Sequence, residues 1–328
     1  MDAFVAKHLQ GVSRTYAIVV PMLPMPLADA VGVAYLLMRI VDTLEDAPQL
    51  TAEERVRELR RLEAVLAGDT TAVEELARPL GELDAERQLM IAAPEVFRRV
   101  RAMEPSYRDP ICACAQAMGA GVCRLIARSA ERGQPYPAIR DLTELREYCY
   151  YVAGTVGEML CAMMAWYLSL PARGAPDKTP LPPRDGAGGA PAAPADLRDS
   201  AVELGIGLQL VNVVKDAFKD SRQGRRYLPA AAGDRAAQRD MYETVLSEAR
   251  RCLQRGIDFV LALPAGAAGL RSFCGLPIAW GGMTLARAEH DGAGAKITRD
   301  EIGASIDQCG RLAGDDQALR QWLSSLLR

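Results

Sequence analysis

The sequence predicts an all-α fold: one domain, 1–328, of packed and mostly antiparallel helices around a central apolar cavity. Three observations carry that prediction. Apolar residues recur at helical spacing through every long segment. No run alternates apolar and polar residues as a half-buried strand would. Turn residues fall between the periodic segments rather than within them. With 328 residues and 49% hydrophobic content, the chain has the material for a large core.

In order, the expected helices cover 2–20, 27–46, 52–67, 71–78, 84–101, 106–132, 141–169, 196–221, 234–262, 267–290 and 299–326. The first lacks the basic-then-apolar order of a signal peptide, since it opens Met1-Asp2-Ala3-Phe4. The apolar stretch 17–41 carries Pro21, Pro24, Pro26 and Asp29, so it fails as a membrane span and restarts as a helix at 27. Thr51 and Glu54 read as a capping box for the third helix, whose residues Arg55 to Arg61 form a solvated charged face. The run 148–170 is long enough to span a membrane. Glu158 in its middle, with Gly154, Gly157 and several tyrosines, marks it instead as a buried helix lining a pocket. About 171–195 the chain is dense in Pro, Gly and Ala; it reads as a flexible surface loop, either a plain insertion or a lid. The C-terminal Leu326-Leu327-Arg328 carries no hydrophobic anchor.

Bulk properties exclude several classes. A net charge of −3 offers no footprint for nucleic acid or a basic membrane-binding face. Eight cysteines without a CxxC pair point to buried thiols in a reducing, cytoplasmic setting. Only His8 and His290 are present, which excludes a histidine-based zinc site.

The chemistry concentrates in two stretches. On the helix 27–46, Tyr35, Arg39, Asp42 and Asp46 stand at offsets 0, 4, 7 and 11, which stacks them on one face, with Glu45 bordering it. The positions between them are Leu, Ile, Val or Met, so these carboxylates sit on a buried helix and need cations. Arg39 balances one of them, and hard divalent ions such as Mg²⁺ suit the rest. Gln209, Asn212, Asp216 and Asp220 repeat the design at offsets 0, 3, 7 and 11 on the helix 196–221. Two such helices facing each other put metal-binding Asp42, Glu45 and Asp46 opposite Asp216 and Asp220, with Gln209 and Asn212 beside the ligand. Magnesium held there would bridge a diphosphate, and an apolar cavity beyond would shelter an allylic carbocation once that diphosphate leaves.

Five blocks then resemble the squalene and phytoene synthase family in order and spacing. Asp42-Thr43-Leu44-Glu45-Asp46 is similar to its first aspartate-rich motif, and the stretch from Asn212 to Asp220 to its second. Ser13-Arg14-Thr15-Tyr16 resembles the N-terminal Ser-Arg segment, and Tyr148 to Gly157 the Tyr-Cys-x-Tyr-Val-Ala-Gly block. Phe273-Cys274-Gly275-Leu276-Pro277 resembles a late segment of the squalene branch. Together they cover the chain from about 13 to 300.

The resemblance implies an isoprenoid-synthase-type bundle and head-to-head joining of two farnesyl diphosphates. The product would be presqualene diphosphate, then squalene with NADPH or dehydrosqualene without it. Arg14, Arg39, Lys215 and Arg225 or Arg226 would contact phosphate oxygens. Tyr35 and Tyr151 would point into the cavity near the cation and the departing proton, and Tyr150, where many squalene synthases have histidine, would alter the cavity lining. Ala295-Lys296-Ile297-Thr298-Arg299 loosely resembles a basic stretch used for NADPH. Lys219 stands where the family usually has an acidic residue; it either points outward or neutralises part of the site, and Lys215 stands where relatives often have arginine. On the same scaffold the alternatives are transfer to a non-isoprenoid, aromatic acceptor and cyclisation of one substrate; a non-catalytic binding protein is a third class. The partners expected are the prenyl diphosphate alone, with no nucleic acid and no transmembrane anchor. Product release leaves room for peripheral membrane contact, and the protein is expected to be a monomer.

Overall fold

The computed structural model describes residues 1–328 apart from 70, 135–137, 170–194, 223, 224, 226, 230–234, 293 and 295, and apart from the side chains at 218, 221 and 235. The loop expected near 171–195 therefore lies, save its last residue, outside the described residues. Helices are Ala3–Val12 (α1), Tyr16–Val19 (α2), Leu27–Asp46 (α3), Ala52–Leu66 (α4), Thr71–Leu76 (α5), Asp84–Ile91 (α6), Ala93–Ala102 (α7) and Pro105–Ala130 (α8). There follow Leu142–Cys149 (α9), Thr155–Ser169 (α10), Ala195–Arg222 (α11), Arg235–Ala262 (α12), Ala268–Asp291 (α13), Arg299–Leu312 (α14) and Asp316–Ser325 (α15). Among the described residues there is no β-strand.

Where the observed helices differ from expectation, a capping or proline effect explains the break. The stretch 84–101 splits at Ala92, because Pro94 in the first turn of α7 has no N–H to continue the ladder. The stretch 299–326 splits where Asp315 caps α15, accepting from the Ala318 N–H at 2.9 Å. The first helix ends at Val12, and Ser13 Oγ accepts from the Tyr16 N–H at 2.9 Å to start α2. The Thr51–Glu54 capping box is present.

Helix α3 is buried nearly all round and packs against α1, α4, α6, α7 and α8. Helix α11 lies across the molecule against α10, α12 and α13. At the α10–α11 crossing the two backbones approach closely. A Cβ on Gly157 would fall 2.1 Å from the Ala201 carbonyl oxygen, and one on Gly205 2.1 Å from that of Ala153. Only glycine permits this approach, and Gly157 and Gly205 also line the cavity described below.

The fully buried Arg271 ties the C-terminal elements together. It donates to the carbonyls of Leu263 (2.9 Å) and Ala313 (3.0 Å) and to Asp316 (2.6 Å), so its charge is satisfied at three helix ends. Two stretches, Pro105–Ala130 and Leu142–Ser169, are long and apolar enough to cross a membrane by length and composition. In the bundle they pack against α4 and α11 among others. All eight cysteines are unpaired thiols.

Candidate active site

A cavity of about 210 Å³ opens between α3, α8, α10, α11, α12 and α13. Its chemistry is graded. Along α3 the lining runs Val31, Tyr35, Met38, Arg39, Asp42; along α11 it runs Ala201, Leu204, Leu208, Gln209, Asn212. Both helices thus pass from apolar to polar toward their C-termini. Met118, Met159, Phe259 and Phe273 add to the apolar wall. The result is an apolar chamber with a charged rim.

At the rim the first acidic stretch is held by arginines. Arg39 donates to Asp42 and, at 2.5 Å, to Glu86 on α6. After α11 the chain turns, with the Arg225 N–H on the Asp220 carbonyl (2.9 Å), and delivers the Arg225 guanidinium to Asp46. Its contacts there are Oδ2 at 3.1 Å and the carbonyl at 2.9 Å; Glu82 lies 3.2 Å away. Asp46 is nonetheless hemmed in by protein. Its carboxyl is pushed up to about 7, by burial first and then by the Asp42 charge, against the pull of Arg225 and Arg39.

Glu45 lies deeper, in the core. It is 1% exposed, faces the Tyr227 hydroxyl at 3.5 Å, and its second oxygen has no hydrogen-bond partner. Burial, then Asp46 and Asp42, hold it well above the carboxylate range. Tyr227 stacks on Tyr148 with centroids 4.7 Å apart and also reaches Asp46 at 3.3 Å.

The second acidic stretch is more open. Lys215 reaches Asn212 (3.1 Å) and Asp216 (3.3 Å), and Lys219 lies 3.9 Å from Glu82. Burial, then Asp216, raises the Asp220 carboxyl, and Asp46 in turn feels the Asp220 charge. Asp42 of the first stretch and Gln209 and Asn212 of the second line the same cavity.

A model of the squalene/phytoene synthase family matches residues 9–300. The chain belongs to the squalene/phytoene synthase family. The squalene synthase of Bos taurus is 27% identical over 223 residues, which cover 68% of this chain and 45% of that protein. That of Eremothecium gossypii is 26% identical over 223 residues, covering 67% and 44%. The match thus spans less than half the length of these curated relatives. Among solved structures, TcSQS in complex with BPH1237 superposes with a TM-score of 0.76 at 21% identity, over 98% of this chain and 89% of that one. A dehydrosqualene synthase in complex with ligand gives 0.52 at 19% identity, over 94% and 95%. At those identities the likeness is one of fold.

Not every residue expected at this family's site lies in it. Tyr35, Arg39, Asp42, Gln209 and Asn212 line the cavity, and Asp46, Asp216, Asp220, Lys215 and Arg225 surround its rim. Arg14 is exposed, and Arg226 lies outside the described residues. Tyr151 is a correction: it is not among the lining residues, its ring packs over Gly121, and Arg124 caps its hydroxyl. Tyr150 likewise turns away, to Glu158 at 3.3 Å. The cause is a π-helical turn at Tyr150–Gly154, which widens the helix and presents Val152, Ala153 and Val156 to the cavity instead. Glu45 is a second correction, for the reason of its core-facing side. Sequence reasoning missed Tyr16, whose ring sits 4.9 Å from that of Tyr35 in the cavity wall, though it stands in the quoted Ser13–Tyr16 block. It also missed Tyr227, Glu82 and Glu86, which no spacing links to the motifs.

The rim tests against magnesium as follows. Among the described residues no three acidic side chains converge into a ready cage. The donors are nonetheless all oxygen, and burial with neighbouring carboxylates raises both Asp46 and Asp220. That fits an ion that keeps several waters and takes its remaining ligands from a substrate's phosphates. Asp42, Asp46, Asp216 and Asp220 fit; Glu45 does not.

Proposed function

We propose that this protein is a prenyltransferase that ionises an allylic prenyl diphosphate and joins two farnesyl diphosphates head to head. Presqualene diphosphate forms first, then squalene with NADPH or dehydrosqualene without it. The observation that carries the reading is the graded cavity, apolar in its depth and bounded at its rim by two opposed aspartate helices. Family membership agrees with it.

In this reading Asp42, Asp46, Asp216 and Asp220 hold magnesium, which when bound neutralises the charge gathering on the departing diphosphate. Arg39 and Lys215 stand beside Asp42 and Asp216 and bind phosphate oxygens. The carbon–oxygen bond breaks with its electron pair going to diphosphate, and the double bond of the second substrate attacks the allylic cation. Met118, Phe259 and Phe273 exclude water from that cation, and aromatic faces stabilise it. Burial raises both the Tyr16 and Tyr35 hydroxyls, so both phenols stay neutral. A neutral phenol relays the proton lost on ring closure toward the diphosphate.

Use of NADPH is part of the proposal. Gly294 donates to the Lys215 carbonyl at 2.9 Å, which brings the segment leading to Lys296 and Arg299 beside the second motif. The eight unpaired thiols support a reducing, cytoplasmic setting.

The test is product analysis by mass spectrometry after incubation with farnesyl diphosphate and Mg²⁺, with and without NADPH. A C30 hydrocarbon is expected, with squalene only when NADPH is present. Diphosphate release without a C30 product would redirect the reading to another acceptor or to a cyclised C15 product.

A further inference from the structure

We infer that Glu82, outside both acidic motifs, is a positioning residue for the charged rim: its carboxylate draws Lys219 and Arg225 to itself and so limits how far the two cations neutralise the second motif. The inference rests on the diphosphate and magnesium reading above. Lys219 follows Asp216 by three residues, a spacing at which its long side chain can reach that carboxylate along the same helix. Its ion partner is instead Glu82, at 3.9 Å. Arg225, whose backbone already bonds the Asp220 carbonyl, turns its guanidinium to Asp46 and to Glu82 at 3.2 Å. One carboxylate thus holds two cations that would otherwise cancel the charge the second motif offers to a metal.

The segment carrying Glu82 is built to hold that place. Gly81 adopts φ +117°, and a Cβ there would lie 2.7 Å from that of Glu86 and 3.1 Å from Thr43 Cγ2. The Gln49 amide bonds both backbone groups of Gly81, donating to its carbonyl at 2.9 Å and accepting from its N–H at 3.3 Å. Glu86 accepts from the N–H groups of Glu82 (2.9 Å) and Leu83 (3.0 Å), and Arg87 donates to the Glu82 carbonyl at 2.9 Å. A solvated surface glutamate needs none of these anchors. Glu86 itself grips Arg39, so one short segment sets both arginines of the first motif.

The experiment titrates Mn²⁺, read by electron paramagnetic resonance, into protein mixed with inorganic pyrophosphate. Wild type, Glu82→Gln, Lys219→Glu and the double variant are compared, with thermal midpoints recorded alongside. Glu82→Gln is expected to weaken Mn²⁺ binding roughly tenfold, as loss of an outer-shell partner does. Adding Lys219→Glu in that background is expected to restore it, because the cation needing restraint is gone. A Glu82→Gln variant that binds like wild type, or a double variant no better than Glu82→Gln alone, overturns the inference and leaves the diphosphate reading standing. A wild type that does not bind Mn²⁺ with pyrophosphate overturns both.

Discussion

The two acidic stretches share a spacing and differ in everything around it. On α3 Glu45 is turned wholly inside, while Asp42 and Asp46, 30% and 35% exposed, are gripped by Arg39 and Arg225. On α11, Asp216 is 44% exposed and pairs with Lys215, while Lys219, more open to solvent, pairs with Glu82. Burial makes the first stretch a fixed wall whose charge is expensive and strongly coupled; exposure leaves the second adjustable.

The comparison breaks most sharply under substitution of its acids. Asp42→Asn is expected to lower kcat/KM for farnesyl diphosphate on the order of 10³-fold, and Asp216→Asn closer to about 10-fold, in steady-state turnover. Equal losses would erase the distinction between the two stretches. Next in size is Arg225→Met, which strips Asp46 and Glu82 of their shared cation. Stability should fall by roughly 2–4 kcal/mol in urea titration, below the full cost of a broken buried pair because Asp46 is 35% exposed.

The third prediction concerns pH. The Asp46 carboxyl rises to about 7 in the folded state, and Glu45 and Asp220 are raised too. Between about 4 and 7 the folded protein therefore holds protons that the unfolded chain releases. Their stabilisation is fully present below about 4 and is lost as pH rises through about 7. Without divalent ions, urea midpoints should fall from pH 5 to pH 7, with a slope for Asp46 under the ~1.4 kcal/mol per unit that one fully buried proton would give. Asp46→Asn, or added Mg²⁺, should flatten that slope. The smallest effect belongs to the open stretch: Lys215→Arg, which exchanges a point charge for a fork, should tighten inorganic pyrophosphate binding by about two- to fivefold in calorimetry.

How much of this could be read from sequence follows from the range of the forces involved. The bounds of α3, the Thr51 cap and the convergence of the two motifs on one cavity were legible because helical period and capping act within a few residues. The orientation of Tyr151 was not, because a π-turn shifts every later side chain without leaving a compositional mark. Glu45 was assigned to the rim by its neighbours' roles, yet a single step of about 100° around the helix separates it from Asp46 and turns it into the core. Glu82 and Glu86 were invisible because their relation to Arg225 and Arg39 is purely tertiary, and charge alone on a loop reads as solvent-facing.

The glycine crossing of α10 and α11 has a mechanical consequence. At Gly157 and Gly205 the two backbones touch, so α11 is held there as a beam on a fulcrum. Asp220 lies fifteen residues beyond Gly205, a lever arm of about 22 Å at the helical rise. A tilt of about 3° about that point carries the aspartate through about 1.2 Å, the difference between chelating an ion and missing it. A wedge at that crossing, such as the methyl of Gly157→Ala, is therefore amplified along the helix toward the second acidic stretch.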